Sequence, residues 1–119
     1  VACLLAIAMP LATASAVRAS QAAASSGDPA AALADARTAA RLEPSAASPQ
    51  LQLALVLEAQ GDFRDAVLAA RRATLDEPAN WSVWLVRSRL EAETGHPAAS
   101  LSAYRRARSL NPRSPLFQR

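Results

Sequence analysis

Gly61-Asp62-Phe63-Arg64-Asp65-Ala66-Val67-Leu68-Ala69-Ala70-Arg71-Arg72-Ala73-Thr74-Leu75-Asp76-Glu77-Pro78 is a helix written between two punctuation marks. Gly61 suits the left-handed residue that ends a preceding helix. Asp62 is placed to cap the next one by accepting from its free N–H groups. Ala66, Ala70 and Ala73 recur at helical spacing and form a narrow, small-residue face. Pro78 cannot continue the helix, and Glu77-Pro78 stops it.

The same sentence is written three times. The only glycines are Gly27, Gly61 and Gly95, each 34 residues from the next. Pro44, Pro78 and Pro112 keep that step, as do Ala39, Ala73 and Ala107, and Ala32, Ala66 and Ser100. Glycine and proline carry most weight here, because both are scarce and punctuate structure. Asp28 and Asp62 precede helices as caps, and His96 fills the matching turn position. Pro29 and Pro97 fit the first helical turn, where no N–H bond is lost. Leu42, Leu75 and Leu110 are expected to close the buried face of each second helix, and Glu43-Pro44 and Asn111-Pro112 to end it. Helices of about 14 residues are marginal alone in water, so the units must bury their faces against one another.

Each unit therefore reads as helix A, tight turn, helix B, stop, and the chain resembles the tetratricopeptide repeat, a 34-residue helix-turn-helix. Gly61-Asp62-Phe63 is similar to the family's turn. Trp84 takes its helix A tryptophan position and Tyr104 its late helix B aromatic. The expected fold is all-α: a helix-turn-helix solenoid of about six helices with an N-terminal apolar helix. The boundaries are an apolar segment at 1–17, a degenerate first repeat at 18–46, full repeats at 47–80 and 81–114, and a tail at 115–119. Gln50 replaces the family tryptophan in the second unit. Arg87 and Glu91 stand where the family prefers apolar residues, which predicts weaker packing of the third helix A.

Composition agrees with helix on helix. About half the residues are apolar, 51%, and alanine, the best helix former, dominates. All 13 basic residues are arginine, and with abundant alanine this is the usage of a GC-rich bacterial genome. A net charge of +3 does not call for nucleic acid. Arg105, Arg106, Arg108, Arg113 and Arg119 read as a solvated face with cations near a helix C-terminus, and no aromatics alternate with them to stack bases. Cys3 is the only cysteine, so no internal disulfide is available.

Val1–Val17 carries no charge before Arg18. Three readings stay open: the end of a transmembrane helix, a signal-peptide apolar region with Ala14-Ser15-Ala16 as its cleavage site, or a buried helix capping the stack. Pro10 is expected to kink or break a helix there. Glu77–Trp84 and Leu110–Pro115, downstream of an apolar segment, are also similar to the tails of bacterial O-antigen ligase-like membrane proteins. That resemblance implies an accessory tail whose active site lies upstream of Val1. Either way the expected location is bacterial, membrane-anchored or exported.

No catalytic constellation is written in the chain. His96 is the single histidine, and lysine is absent, which excludes a His-pair metal motif, a P-loop and Schiff-base chemistry within this sequence. Asp76, Glu77, Glu91 and Glu93 are expected on solvated faces or helix ends. No cofactor or metal is expected, and the chain reads as a binding scaffold for a protein or peptide. The family resemblance implies a concave groove built by the A helices, with Ser48, Leu51, Leu55, Glu58 and Ala59 from the second unit and Ser82, Leu85, Arg89, Ala92 and Glu93 from the third. Relatives that grip a terminal carboxylate do so with basic or amide groups at such sites. Leu51 and Leu55 stand there instead.

Overall fold

A computed structural model describes residues 2–43 and 46–118, with side chains from residue 12 onward. The expected stop at Pro44 and the side chains of Cys3 and Pro10 lie outside the described residues. Six α-helices follow one another: α1 (Ala2–Ser25), α2 (Pro29–Leu42), α3 (Ala47–Ala59), α4 (Phe63–Asp76), α5 (Trp81–Glu93) and α6 (Pro97–Leu110). A short 3-10 turn, Pro115–Phe117, comes after them. There is no strand among the described residues. The helices pair in sequence as α1–α2, α3–α4 and α5–α6, and the pairs stack.

The glycine step sets the geometry. Gly27, Gly61 and Gly95 have φ of 80°, 81° and 81°. Each A helix closes in the same way. Gly61 N–H donates to Glu58 O and Asp62 N–H donates to Leu57 O. The matching bonds run from Gly27 to Ala24 and from Asp28 to Ala23, and again from Gly95 to Ala92 and from His96 to Glu91. This is the double bond pattern that satisfies the last free carbonyls of a helix. Asp28 and Asp62 then cap α2 and α4, accepting from Ala31 N–H at 3.1 Å and Asp65 N–H at 3.4 Å. His96 makes no such cap bond. Its Nδ1 lies 2.9 Å from Thr94 Oγ1 instead, because an imidazole on this backbone swings back over the turn where a short carboxylate reaches forward.

The helix B alanines are the core. Ala32, Ala36, Ala39, Ala66, Ala70, Ala73, Ala103 and Ala107 are all buried. Opposite the first residue of each set stands a small A-helix residue: Ser20, Ala54 or Ser88. Ser20 Oγ donates to Ala32 O at 2.7 Å, and Ser88 Oγ donates to Ser100 O at 2.9 Å. The hydroxyl thus satisfies itself within the helix pair while keeping the two backbones close. Gln52 reaches across from α3 to donate to Ser20 Oγ at 3.1 Å, tying the first pair to the second.

Four local expectations change. α1 is not interrupted at residue 10. Leu75 is 76% exposed and closes nothing. It stands one residue short of the 34-residue step from Leu42, which falls on the half-buried Asp76, so the helix turns Leu75 toward solvent. Glu91 is no solvated carboxylate, being only 1% exposed. Arg87 and Glu91 also do not loosen α5. Arg71 of α4 grips Glu91 Oε1 with Nη2 at 2.6 Å and Nε at 3.1 Å. Arg87 lies over the Trp84 ring, 5.3 Å from its centroid, and donates to Thr74 Oγ1 at 2.9 Å. The polar pair fills an apolar site because each charge arrives with a partner, although Arg87 Nε itself is left without a hydrogen bond, 3.9 Å from Glu91 Oε2. Glu77 is likewise engaged, accepting from Ala47 N–H at 2.9 Å and so supplying the start of α3 with a partner.

Candidate binding groove

The A helices α1, α3 and α5 lie side by side on one face of the stack, with contacts from α1 to α3 and from α3 to α5. Stacking of like helices follows from the repeat: every B helix takes the other layer. Positions one step apart therefore line up across the A layer.

Leu51, Leu55 and Leu85 are half-buried on the A helices α3 and α5. Leu55 and Ala59 line a cavity of about 470 Å³ with Gln21, Ala24 and Ser25 of α1 and Gln60. Its walls are apolar with amide groups at the edge, and no charged side chain lines it. Gln60 Nε2 donates to Pro29 O at 2.7 Å and holds the cavity's turn-side wall. Leu85 lines a smaller cavity of about 300 Å³ with Val86, Ser88 and Arg89. Toward the start of the A helices, Val17 and Arg18 of α1 face Ser48 and Pro49 across a third recess.

Charge enters the groove at one place. Arg89 of α5 reaches Glu58 of α3 with two bonds, Nη2 to Oε1 at 2.6 Å and Nε to Oε2 at 3.1 Å. Glu93 lies beside Glu58 on the same guanidinium, 3.9 Å from Arg89 Nε. Two carboxylates thus share one cation. Desolvation raises the Glu93 pKa above the ordinary 4.5, a side-chain hydrogen bond to Glu58 and the negative charge of Glu58 raise it further, and Arg89 opposes both.

The six residues expected to form the groove fall into two groups. Glu58, Arg89 and Glu93 are brought together across α3 and α5. Leu55 and Leu85 line cavities on the same helices, and Leu51 is half-buried on α3. Gln21, Ala24 and Ser25 were not anticipated, although they stand one step before Leu55, Glu58 and Ala59. The first helix A lacks the family's large residues, and small polar ones hid its groove positions. Among the described residues no group of three or more His, Cys, Asp or Glu side chains is placed to hold a metal.

Comparison with known proteins agrees with this architecture. The family described as tetratricopeptide repeat matches residues 51–115, more than half of the chain. A tetratricopeptide domain of Arabidopsis OM64 superposes with a TM-score of 0.79 at 18% identity, covering 89% of this chain and 88% of that one. The type III secretion translocator chaperone SycD of Yersinia enterocolitica gives 0.78 at 15% identity, over 88% and 80%. An O-GlcNAc transferase of Thermobaculum terrenum gives 0.78 at 18% identity; the match covers 89% of this chain but only 20% of the transferase. Identities this low establish shared fold alone. No curated protein matches in sequence. The helix pairs, the glycine turns and the family match over residues 51–115 together place the chain in the tetratricopeptide repeat family.

Proposed function

We propose that this chain is a non-catalytic protein-interaction scaffold that holds an extended peptide or partner helix in its concave groove. The observation that carries the reading is the half-exposed stripe Leu51, Leu55 and Leu85, lying beside an apolar cavity on the face made by the A helices. A fully buried stripe would be core, and a charged one would be solvated surface. Partly exposed leucines anchored on rigid helices are the form that peptide-recognition grooves take. The Glu58–Arg89–Glu93 cluster then offers orientation at one edge, since a groove with a single polar landmark reads a peptide in one direction.

The test is selection of binding peptides from a displayed library against the 119-residue chain, followed by affinity measurement on variants. Leu55→Asp and Arg89→Ala should each weaken selected peptides by about tenfold or more. Binding that survives both changes places the site elsewhere.

The uncharged segment 1–17 supports placing this scaffold at, or beyond, a bacterial membrane. Among the described residues no helix is long and apolar enough to cross one. Reading the coding sequence upstream of Val1 checks the proposal: further hydrophobic spans or a basic leader support it, and a continuing polar domain opposes it.

A further inference from the structure

Gln52 is out of keeping with its repeat position. One step later the same place on α5 holds Val86, which packs against the apolar cluster around Leu90. Gln52 is only 7% exposed, yet it carries an amide. Half of that amide is accounted for, since Nε2 donates to Ser20 Oγ at 3.1 Å. The direction is fixed, because Ser20 Oγ spends its one hydrogen on Ala32 O at 2.7 Å and is left only to accept from Gln52. Oε1 is therefore the amide atom without a partner. It is not sealed in: among the described residues the buried side-chain polar atoms that lack a hydrogen bond are Asp76 Oδ2 and Arg87 Nε. Gln52 Oε1 keeps access to the cavity that Gln52 lines between α1 and α3.

The cavity limits what such an acceptor meets. Its volume of about 470 Å³ lies among Ala24 of α1 and Leu55, Val56 and Ala59 of α3, whose short or apolar side chains leave the space between the two helices unfilled. Gln21 and Ser25 at the edge are exposed and neutral. No Arg, Asp, Glu or His side chain lines it, so an ionised group entering here would shed its water without meeting an opposite charge. An aliphatic group would suit the walls and cut Oε1 off from water with no donor to replace it, which is the costly way to bury an acceptor. An aromatic ring with an N–H on its edge satisfies both the walls and the acceptor. Indole is a donor only, and so matches a lone acceptor; a phenol would bring its own unspent lone pairs against the same apolar wall.

We propose that this cavity is the specificity pocket of the concave groove and takes a tryptophan side chain of the bound peptide, with the indole N–H donating to Gln52 Oε1. The peptide as carrier rests on the groove reading given above; the choice of an N–H ring rests on the cavity and its buried amide alone. Gln52 sets the specificity, and Ser20 positions it by holding Nε2 and leaving Oε1 to the ligand. A peptide that offers a carboxylate or an aliphatic side chain at this point leaves the acceptor unpaired and is the disfavoured partner.

The probe is a blocked peptide, acetyl-Ala-Ser-Trp-Ser-Ala-amide, paired with a copy in which 3-benzothienylalanine replaces tryptophan and so exchanges the N–H for sulfur at nearly equal shape. Both are titrated into the isotope-labelled 119-residue chain, with free indole and benzothiophene alongside, and NMR shifts of the Ala24, Gln52 and Ala59 backbone amides report occupancy. Each N–H form is expected to bind about fivefold more tightly than its sulfur analogue. Gln52→Leu should bring that ratio to about one, since it removes the acceptor while Ser20 keeps its bond to Ala32. The analogue pair needs no variant, so the comparison on the unaltered chain decides even where Gln52→Leu disturbs the fold. The pocket is overturned if the sulfur analogues bind as tightly, if the ratio survives Gln52→Leu, or if no ring shifts those amides. A peptide that binds through Arg89 without shifting Ala24 leaves the groove reading standing and overturns the pocket. Indole that shows the N–H preference while the peptide binds no more tightly than indole upholds the ring and overturns the peptide as its carrier.

Discussion

Arg37 and Arg71 occupy the same place on successive B helices, and only Arg71 meets a buried carboxylate. At the first junction, between α2 and α3, the residue one step before Glu91 is Leu57, which is buried in the apolar cluster with Ala54 and Leu90. Arg37 is left exposed beside it. At the second junction, between α4 and α5, Glu91 takes that place and Arg71 folds down to it. The backbone register is the same in both. The repeat therefore fixes where a side chain stands and leaves its chemistry open, provided a buried charge brings its partner. The apolar junction is forgiving, since losing Arg37 leaves nothing unpaired. The ionic junction is brittle, since losing Arg71 takes both hydrogen bonds from the buried Glu91 and leaves it only the longer contacts to Arg87 at 3.9 Å and His96 at 3.7 Å.

The largest expected effect exposes that brittleness. Arg71→Ala should cost about 2–4 kcal/mol in denaturant unfolding, below the full value for a deeply buried pair because Arg71 is itself partly exposed. Arg37→Ala should cost less than about 0.5 kcal/mol. Replacing both members of the ionic pair, Arg71→Met with Glu91→Leu, should restore stability or exceed it, making the second junction behave like the first. Equal costs for the two single arginine changes would erase the contrast.

A middle-sized effect tests the shared register. Ala73 is fully buried and clusters with Ala47 and Val83. Ala73→Leu should cost roughly 1–3 kcal/mol by overpacking, and Ala39→Leu at the first junction should cost the same within error. A neutral result at either would mean that the backbones do not approach equally there.

The smallest effect concerns the groove edge. Glu93 titrates above 4.5 in the folded chain. A carboxyl with a raised folded pKa contributes its stability while protonated and loses it as pH rises through that value. Comparing the chain with Glu93→Gln at about pH 4 and about pH 7, the wild type should lose stability relative to the variant on going up. A constant difference would mean that desolvation and Glu58 do not raise Glu93 in solution.

Much of this was legible in the sequence, and the reason is local. Turn glycines, caps and small residues at 34-residue spacing act within one helix pair, so the all-α stack follows directly. What escaped depends on partners far along the chain or on irregular segments. Glu91 looked solvated because its cation, Arg71, lies 20 residues earlier on another helix. Leu75 looked buried because its spacing from Leu42 misses the step by one residue, and one residue turns a helix by about 100°. Phe117 looked like part of a tail, because only its docking on Tyr104 and Trp81 shows that it keeps the register.

The three turns carry one more consequence. A Cβ built on Gly27, Gly61 or Gly95 would meet nothing within 4 Å. Space is therefore not what these positions select. The backbone hand is: a φ near +80° resists an L side chain and is the natural territory of its mirror image. A D-alanine at residue 61, introduced by chemical synthesis, fits the turn without touching a neighbour and narrows the freedom of the unfolded chain. Handedness, and not smallness, is the property glycine supplies here.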